Sequence, residues 1–181
     1  MNLILRPWNY GDVPELSQLA DNIRIWNQVR DYFPHPYTVK KAQEWVSLQQ
    51  GKKPVTNFAI DVDGRLVGGI GLLLKEDIYR CSLEIGYWIG EPYWGRGIAT
   101  KAIEVLVAAA WTEYPEVVRI YAEVFPQNTG SCRALEKNGF QLESIRKQAV
   151  IKNGLIGDDM VWVLFRDRRV PEPAITTNKD A

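Results

Sequence analysis

The sequence predicts an α/β domain with a mixed, mainly antiparallel sheet flanked by helices. Apolar periodicity runs in the order strand, helices, three strands, long helix, strand, short helix, strands. Three consecutive strands favour antiparallel pairing, and a long helix between two later strands allows one parallel crossover. That order disfavours a doubly wound nucleotide fold. Asp63-Gly64, set between two β-type runs, is a strong hairpin signal. With 181 residues, 46% hydrophobic and 24% charged, the chain has the makings of one domain with an ordinary core.

Each element has its own signal. Leu3-Ile4-Leu5 reads as a strand ended by Arg6-Pro7. From Gly11 to Trp26, apolar residues recur at helical spacing, until Pro34 and Pro36 forbid helix. Thr38 is the expected cap of a second amphipathic helix carrying Ala42, Trp45, Val46 and Leu48. Val55 to Val62, Leu66 to Leu74 and Cys81 to Ile89 supply three strands. A long helix follows Gly97, with Ile103, Leu106, Val107, Ala110, Trp111 and Tyr114 on one stripe and Pro115 at its end. Val117 to Phe125 is a strand, and Asn128 to Asn138 a short helix stopped by Gly139. Phe140 to Ile145, Lys147 to Lys152 and Met160 to Phe165 complete the strands, with Asn153-Gly154 as a turn. The polar tail from Asp167 is expected to be mobile.

Composition excludes several functions. Lysine plus arginine and aspartate plus glutamate each count 22, and the longest basic cluster, Arg166, Arg168 and Arg169, is broken by Asp167. Nucleic-acid binding needs clustered cations to displace counterions, so no nucleic acid is expected as a partner. No run reaches the roughly 18 apolar residues of a membrane span, and the first residues lack the pattern of a secretory leader. A cytoplasmic setting is therefore expected, with Cys81 and Cys132 as small buried hydrophobes. No His/Cys/Asp cluster has metal spacing.

Chemistry concentrates at Trp94-Gly95-Arg96-Gly97-Ile98-Ala99-Thr100, between a strand and the long helix. Glycines let successive backbone N–H groups turn toward one point, and the first helical turn adds unpaired donors and partial positive charge. Such a loop suits a pyrophosphate, although a glycine-rich turn can also serve as a mere connection. A P-loop would need Lys-Ser/Thr after the second glycine, where Ile98-Ala99 stand. A Rossmann fingerprint would want a small residue at Thr100.

Leu83 to Ile89 followed by Pro92 to Thr100 resembles the acetyl-CoA motif of GNAT N-acetyltransferases, in particular the ribosomal-protein N-terminal (RimJ/RimL-like) branch. Leu5-Arg6-Pro7-Trp8, Phe33 to Thr38, Asn128 to Ser131 and Leu135 to Phe140 extend the likeness across roughly residues 2–166, so a GNAT domain is expected over 1–166. The resemblance implies a sheet splayed around acetyl-CoA as cosubstrate. The amides of Gly95, Arg96, Gly97, Ile98, Ala99 and Thr100 would hold its pyrophosphate, with the Thr100 hydroxyl as a further donor. Trp94 departs from the family's Gln/Arg and leaves the backbone cradle intact. Trp88 and Ile89 would border the pantetheine arm, with a backbone N–H near the thioester carbonyl worth roughly 3–4 kcal/mol.

By the same resemblance, Ser131 would contact the CoA sulfur or relay a proton, and Asn128 would lie beside it. Both also suit helix N-capping. The tyrosine that many relatives use as an acid is Leu135 here. Glu84, in an otherwise apolar strand, is the candidate general base. Burial would raise its pKa, and the competing reading is a salt bridge to Arg80 or Arg119, or a solvent-facing position.

An α-amine with pKa about 7.8 is about 14% neutral at pH 7, a lysine amine only about 0.04%. The penalties of roughly 1 and 5 kcal/mol favour a protein N-terminus as acceptor. A small amine, or a non-catalytic acyl-CoA-binding module, are the alternatives. Asp158 and Asp159 either meet an ammonium group or are solvated turn residues. Trp26, Tyr32, Phe33 and Tyr37 form either an acceptor wall or core, and His35 shapes its turn. Cys132 lacks a histidine partner, which argues for direct transfer in a ternary complex. A monomer or homodimer is expected.

Overall fold

The computed structural model describes residues 1–166. The expected mobile tail lies outside the described residues. The strands are β1 (Leu3–Pro7), β2 (Asn57–Val62), β3 (Arg65–Leu74), β4 (Ser82–Ile89), β5 (Arg119–Val124), β6 (Gln141–Lys152) and β7 (Leu155–Phe165). They form one sheet in the order β1-β2-β3-β4-β5-β7-β6. Only the β4–β5 pair is parallel. The helices are α1 (Val13–Ala20), α2 (Ile23–Trp26), α3 (Val39–Gln49), α4 (Ile98–Glu113) and α5 (Thr129–Lys137). The α4 helix is the crossover between the two parallel strands, so the predicted mixed α/β architecture is the one observed.

The sheet is covered on both faces. On one side α4 buries Ile98, Ala102, Ile103, Leu106 and Ala110 in a core shared with Ile60, Val67, Ile85, Ile120 and Leu135. On the other, Leu16 and Ala20 of α1 and Ala42 and Val46 of α3 pack with Trp8, Tyr37, Ala59 and Leu66. Residues adjacent in sequence on β2 and β3 feed opposite cores, as a two-residue period requires. Leu66 through Leu72 is buried without interruption, the pattern of a strand enclosed by two layers.

Caps and turns fall where polar and glycine residues predict them. The Thr38 hydroxyl accepts from Lys41 N at 3.3 Å and starts α3. Asp63 and Gly64 both take positive φ in the β2–β3 turn, as do Asn153 and Gly154 between β6 and β7. Gly139 (φ 80°) ends α5.

Local patterning misleads in four places. The helix expected from Gly11 to Trp26 breaks into a 3-10 turn at Tyr10–Asp12, α1 and α2. Asn22, extended at φ −142°, accepts from Arg24 N and Ile25 N, while Asp21 Oδ1 accepts from Tyr37 N at 2.9 Å. These short polar side chains satisfy backbone donors better outside a helix than within one. The two strands expected over 140–152 are one strand, β6, bulged at Arg146–Val150, where Gln148 adopts φ 51°. Asp158 and Asp159 belong to β7, not to a solvated turn, and Cys81 is exposed rather than buried.

One feature of the sheet positions the site. β4 pairs with β5 only from Ser82 to Glu84, against Arg119 to Tyr121. Beyond that, β3 holds β4 as far as Ile89 and β7 holds β5 as far as Val124. Each strand is fixed on its outer edge, so the inner edges part into a notch.

Candidate active site

On one side of the notch lies a cavity of about 730 Å³, lined by Arg24, Tyr93 to Thr100, Gln127 to Ser131, Arg133 and Lys137. Gly95 (φ 74°) and Gly97 (φ 75°) are left-handed, and a Cβ on either would meet nothing within 4 Å. The space beside the loop is therefore open to a ligand. Gly97 is the N-cap of α4, and no side chain caps that helix. A 16-residue helix thus presents its first-turn amides and dipole to a glycine-walled space. The residues present fit a pyrophosphate. Arg96 adds a cation at the rim, and Arg24, ion-paired to Glu91, stands beside it; their guanidinium carbons lie 5.6 and 5.1 Å from the Tyr93 and Trp94 ring centres.

Trp94 has a structural task that its departure from the family pattern did not reveal. Its indole N–H donates to Ile89 O at 2.7 Å, tying the loop to the end of β4. Asn138 likewise ties α5 to α4, donating to Thr100 O at 3.0 Å and Ala134 O at 2.8 Å.

A second cavity of about 670 Å³ opens on the α1–α3 side, and Tyr87, Trp88, Asn128 and Ser131 line both. Its aromatic wall is Trp8, Tyr32, Phe33, Tyr37, Trp45 and Trp88. Phe33 meets Trp88 edge-on with ring centres 5.6 Å apart, and Tyr37, 5% exposed, packs on Phe33. Of the four aromatics at the front of the chain, Trp26 does not line this cavity. It packs against His35, and Lys152 sits 3.6 Å over its ring. His35 stays in its turn, 3.5 Å from Asp21.

The floor carries a chain of alternating charges. Glu84, 7% exposed, accepts from Lys75 Nζ at 2.9 Å and Arg30 Nη2 at 2.5 Å. The same Arg30 nitrogen is 2.5 Å from Glu123 Oε2. Arg146 bridges Glu123 Oε1, at 2.8 Å, to the buried Asp159. The Tyr121 hydroxyl donates to Glu84 Oε2 at 3.3 Å. Burial works against charge on Arg30 and Lys75, but Glu84 together with Glu123 at Arg30 and with Tyr121 at Lys75 outweighs it, and both pKa values are raised. Burial also raises the Tyr121 pKa. Glu84 is therefore neither solvent-facing nor paired with Arg80 or Arg119. Its cations come from segments 54 and 9 residues away, and composition alone cannot select them.

Asn128 caps α5, accepting from Ser131 N at 3.1 Å. The Ser131 hydroxyl does not cap the helix. It lies 2.5 Å from the Tyr87 hydroxyl. Leu135 is fully buried in the core. Sequence reading missed Arg24, Arg30, Lys75, Tyr121 and Glu123. Among these, only Glu123 carried a local signal: a carboxylate inside a strand whose neighbours, apart from Arg119, are apolar or aromatic. Among the described residues there is no His/Cys/Asp/Glu group able to hold a metal, and no helix long and apolar enough to cross a membrane.

Residues 2–141 match the family model described as "Acetyltransferase (GNAT) domain". The chain is 31% identical over 160 residues to the ribosomal-protein-serine acetyltransferase of Escherichia coli, covering 86% of this chain and 88% of that protein. It is 29% identical over 168 residues to a probable N-acetyltransferase, YjcK, of Bacillus subtilis, covering 83% of this chain and 90% of that one. A solved structure of the ribosomal-protein alpha-N acetyltransferase RimL in complex with coenzyme A has the same fold. It superposes with a TM-score of 0.80 at 22% identity, covering 92% of this chain and 96% of that one.

Proposed function

This chain belongs to the GNAT acetyltransferase family, and we propose that it transfers the acetyl group of acetyl-CoA to the α-amine of a protein N-terminus. One observation carries the reading. Two cavities meet where β4 and β5 part, one shaped for a pyrophosphate and the other floored by carboxylates and walled by aromatics. The E. coli relative's activity on a ribosomal protein supports the same acceptor class. When bound, acetyl-CoA supplies an activated acyl group, and transfer to R–NH₃⁺ yields the acetamide, a free thiol and one proton.

The chain's own residues divide the remaining tasks. The amides of Gly95 to Thr100 and the α4 N-terminus bind the pyrophosphate, with Arg24 and Arg96 at the rim. The β4 edge at Trp88 and Ile89 borders the reacting carbonyl. Glu84 takes a proton from the incoming ammonium, the task for which a carboxylate on the cavity floor is suited. Lys75 and Arg30 keep that carboxylate oriented. Ser131 and Asn128 lie on the opposite wall of the notch, toward the sulfur. Domain limits of 1–166 and action as a monomer or homodimer in the cytoplasm belong to the same reading.

The test is a panel: short peptide amides with a free α-amine, Nα-blocked peptides carrying lysine, and small amines such as spermidine. Thiol release and product mass are measured with acetyl-CoA. Acetylation confined to free α-amines is the expected result. Preference for spermidine or for the lysine side chain refutes the acceptor assignment, and binding without turnover refutes transfer.

A further inference from the structure

The relative orientation of β4 and α5 has a consequence for the leaving group. Along β4, Glu84 and Trp88 face the α1–α3 layer while Tyr87 faces the other way, its ring packed on the α4 core. Past Glu84 the strand has no β5 partner, so the Tyr87 hydroxyl crosses the open notch to the first turn of α5. There it meets Ser131 Oγ at 2.5 Å and Ser131 O at 3.4 Å. Both residues line the two cavities where those cavities join.

We propose that Tyr87 is a further positioning residue for the leaving group: where the family resemblance already sets Ser131 at the CoA sulfur, the Tyr87 hydroxyl backs it in a two-hydroxyl relay and acts through it. The inference rests on the acetyl-transfer reading given above. Ser131 Oγ, within 2.5 Å of the phenol, keeps one lone pair for that bond and turns its proton toward the notch. Burial pushes the phenol pKa up, and the Ser131 hydrogen bond only partly opposes this, so Tyr87 stays protonated at neutral pH. The α5 group that acts on the Tyr87 phenol besides Ser131 is Cys132, whose own thiol is also raised by burial. Asn128 Oδ1 accepts from Ser131 N, and Leu135 has no hydroxyl. A phenol from the opposite strand thus serves the wall that α5 leaves without one.

The proton count closes. As the C–S bond breaks, its electron pair stays on sulfur and takes the Ser131 hydroxyl proton. Tyr87 passes its proton to Ser131. The phenolate regains a proton through solvent from the two that the acceptor nitrogen sheds, and the other is released. Tyr87 is a positioning residue in this scheme, since only Ser131 touches the sulfur.

The decisive measurement needs no acceptor. The thiol of bound CoA is titrated by its ultraviolet thiolate absorbance, with the desulfo-CoA complex subtracted to remove Cys81, Cys132 and the tyrosines. Donors aimed at sulfur stabilise the thiolate. Tyr87→Phe and Ser131→Ala should therefore each raise the bound-thiol midpoint by about 1 pH unit, the worth of one charge-assisted hydrogen bond. With an α-amine peptide, each variant should lose about 10–100-fold in kcat at unchanged acetyl-CoA affinity. The double variant should lose no more than either single one, because the two act as a unit. A bound-thiol midpoint that Tyr87→Phe leaves in place overturns the relay, as do losses that multiply in the double variant. If wild-type protein acetylates no α-amine, the acceptor assignment falls while the titration still decides the relay.

Discussion

Replacing Gly97 with alanine separates backbone strain from ligand binding, provided a second glycine serves as the reference. Gly97 has φ 75° and Gly64, in the β2–β3 turn, has φ 83°. An added Cβ meets nothing within 4 Å at either position. Both substitutions therefore incur only the left-handed penalty, about 1–2 kcal/mol. For a chain of this length that is a fall of roughly 2–8 °C in Tm, and it should be alike in both. The difference lies in what occupies the open space. At Gly97 the methyl stands beside the uncapped first turn of α4, where the pyrophosphate is proposed to approach. Loss of one backbone-to-phosphate hydrogen bond, about 1.5–3 kcal/mol, converts to about 10–100-fold weaker acetyl-CoA binding. Calorimetry on both folded variants, with thermal unfolding in parallel, makes the comparison. Equal affinities in Gly97→Ala and Gly64→Ala would remove the loop from the binding site. A branched substitution is less informative, because valine adds steric strain at the same φ.

Three further outcomes follow from the geometry. Glu84→Gln should lower turnover on an α-amine peptide about 10–10³-fold near pH 7, with recovery toward pH 9 as the free amine deprotonates in bulk. Parallel pH–rate profiles in the two forms would leave Glu84 a purely structural partner of Arg30 and Lys75. Asn128→Ala removes the α5 cap and should cost about 1 kcal/mol, roughly 2–4 °C, whereas Ser131→Ala keeps that cap and removes only the 2.5 Å partner of the Tyr87 hydroxyl, so its loss of stability should vanish in a Tyr87→Phe background. A fall for Ser131→Ala that persists in the Tyr87→Phe background would mean that its hydroxyl holds the helix after all. Trp94→Phe keeps an aromatic ring over the loop but deletes the donor to Ile89 O. It should weaken acetyl-CoA binding about threefold to tenfold, and calorimetry showing no change would leave that bond without influence on the cradle.

Much of this architecture is legible in the chain because its causes are local. The α4 stripe, the Asp63-Gly64 hairpin, the Thr38 cap and the Gly95–Gly97 loop each depend on residues within one or two turns of each other. Period and turn chemistry act at that range, and so the fold class and the open glycine loop at the α4 N-terminus follow from them. Period alone says which face a side chain takes and leaves open what it meets there. The break at Asp21-Asn22 arises because Asp21 serves Tyr37 N, 16 residues on. The single bulged β6 strand depends on its register against β7. The same holds for the site's polar groups. Glu84 was identifiable as a misplaced carboxylate, but Arg30 joins it to Glu123 across separations of 54 and 93 residues. Tyr87 reads as core in its strand and becomes polar only because β4 and β5 part and bring α5 within 2.5 Å of its hydroxyl. Which charges and hydroxyls meet is thus decided by how β3 and β7 hold β4 and β5 apart, a property of the whole sheet that no short stretch of sequence contains.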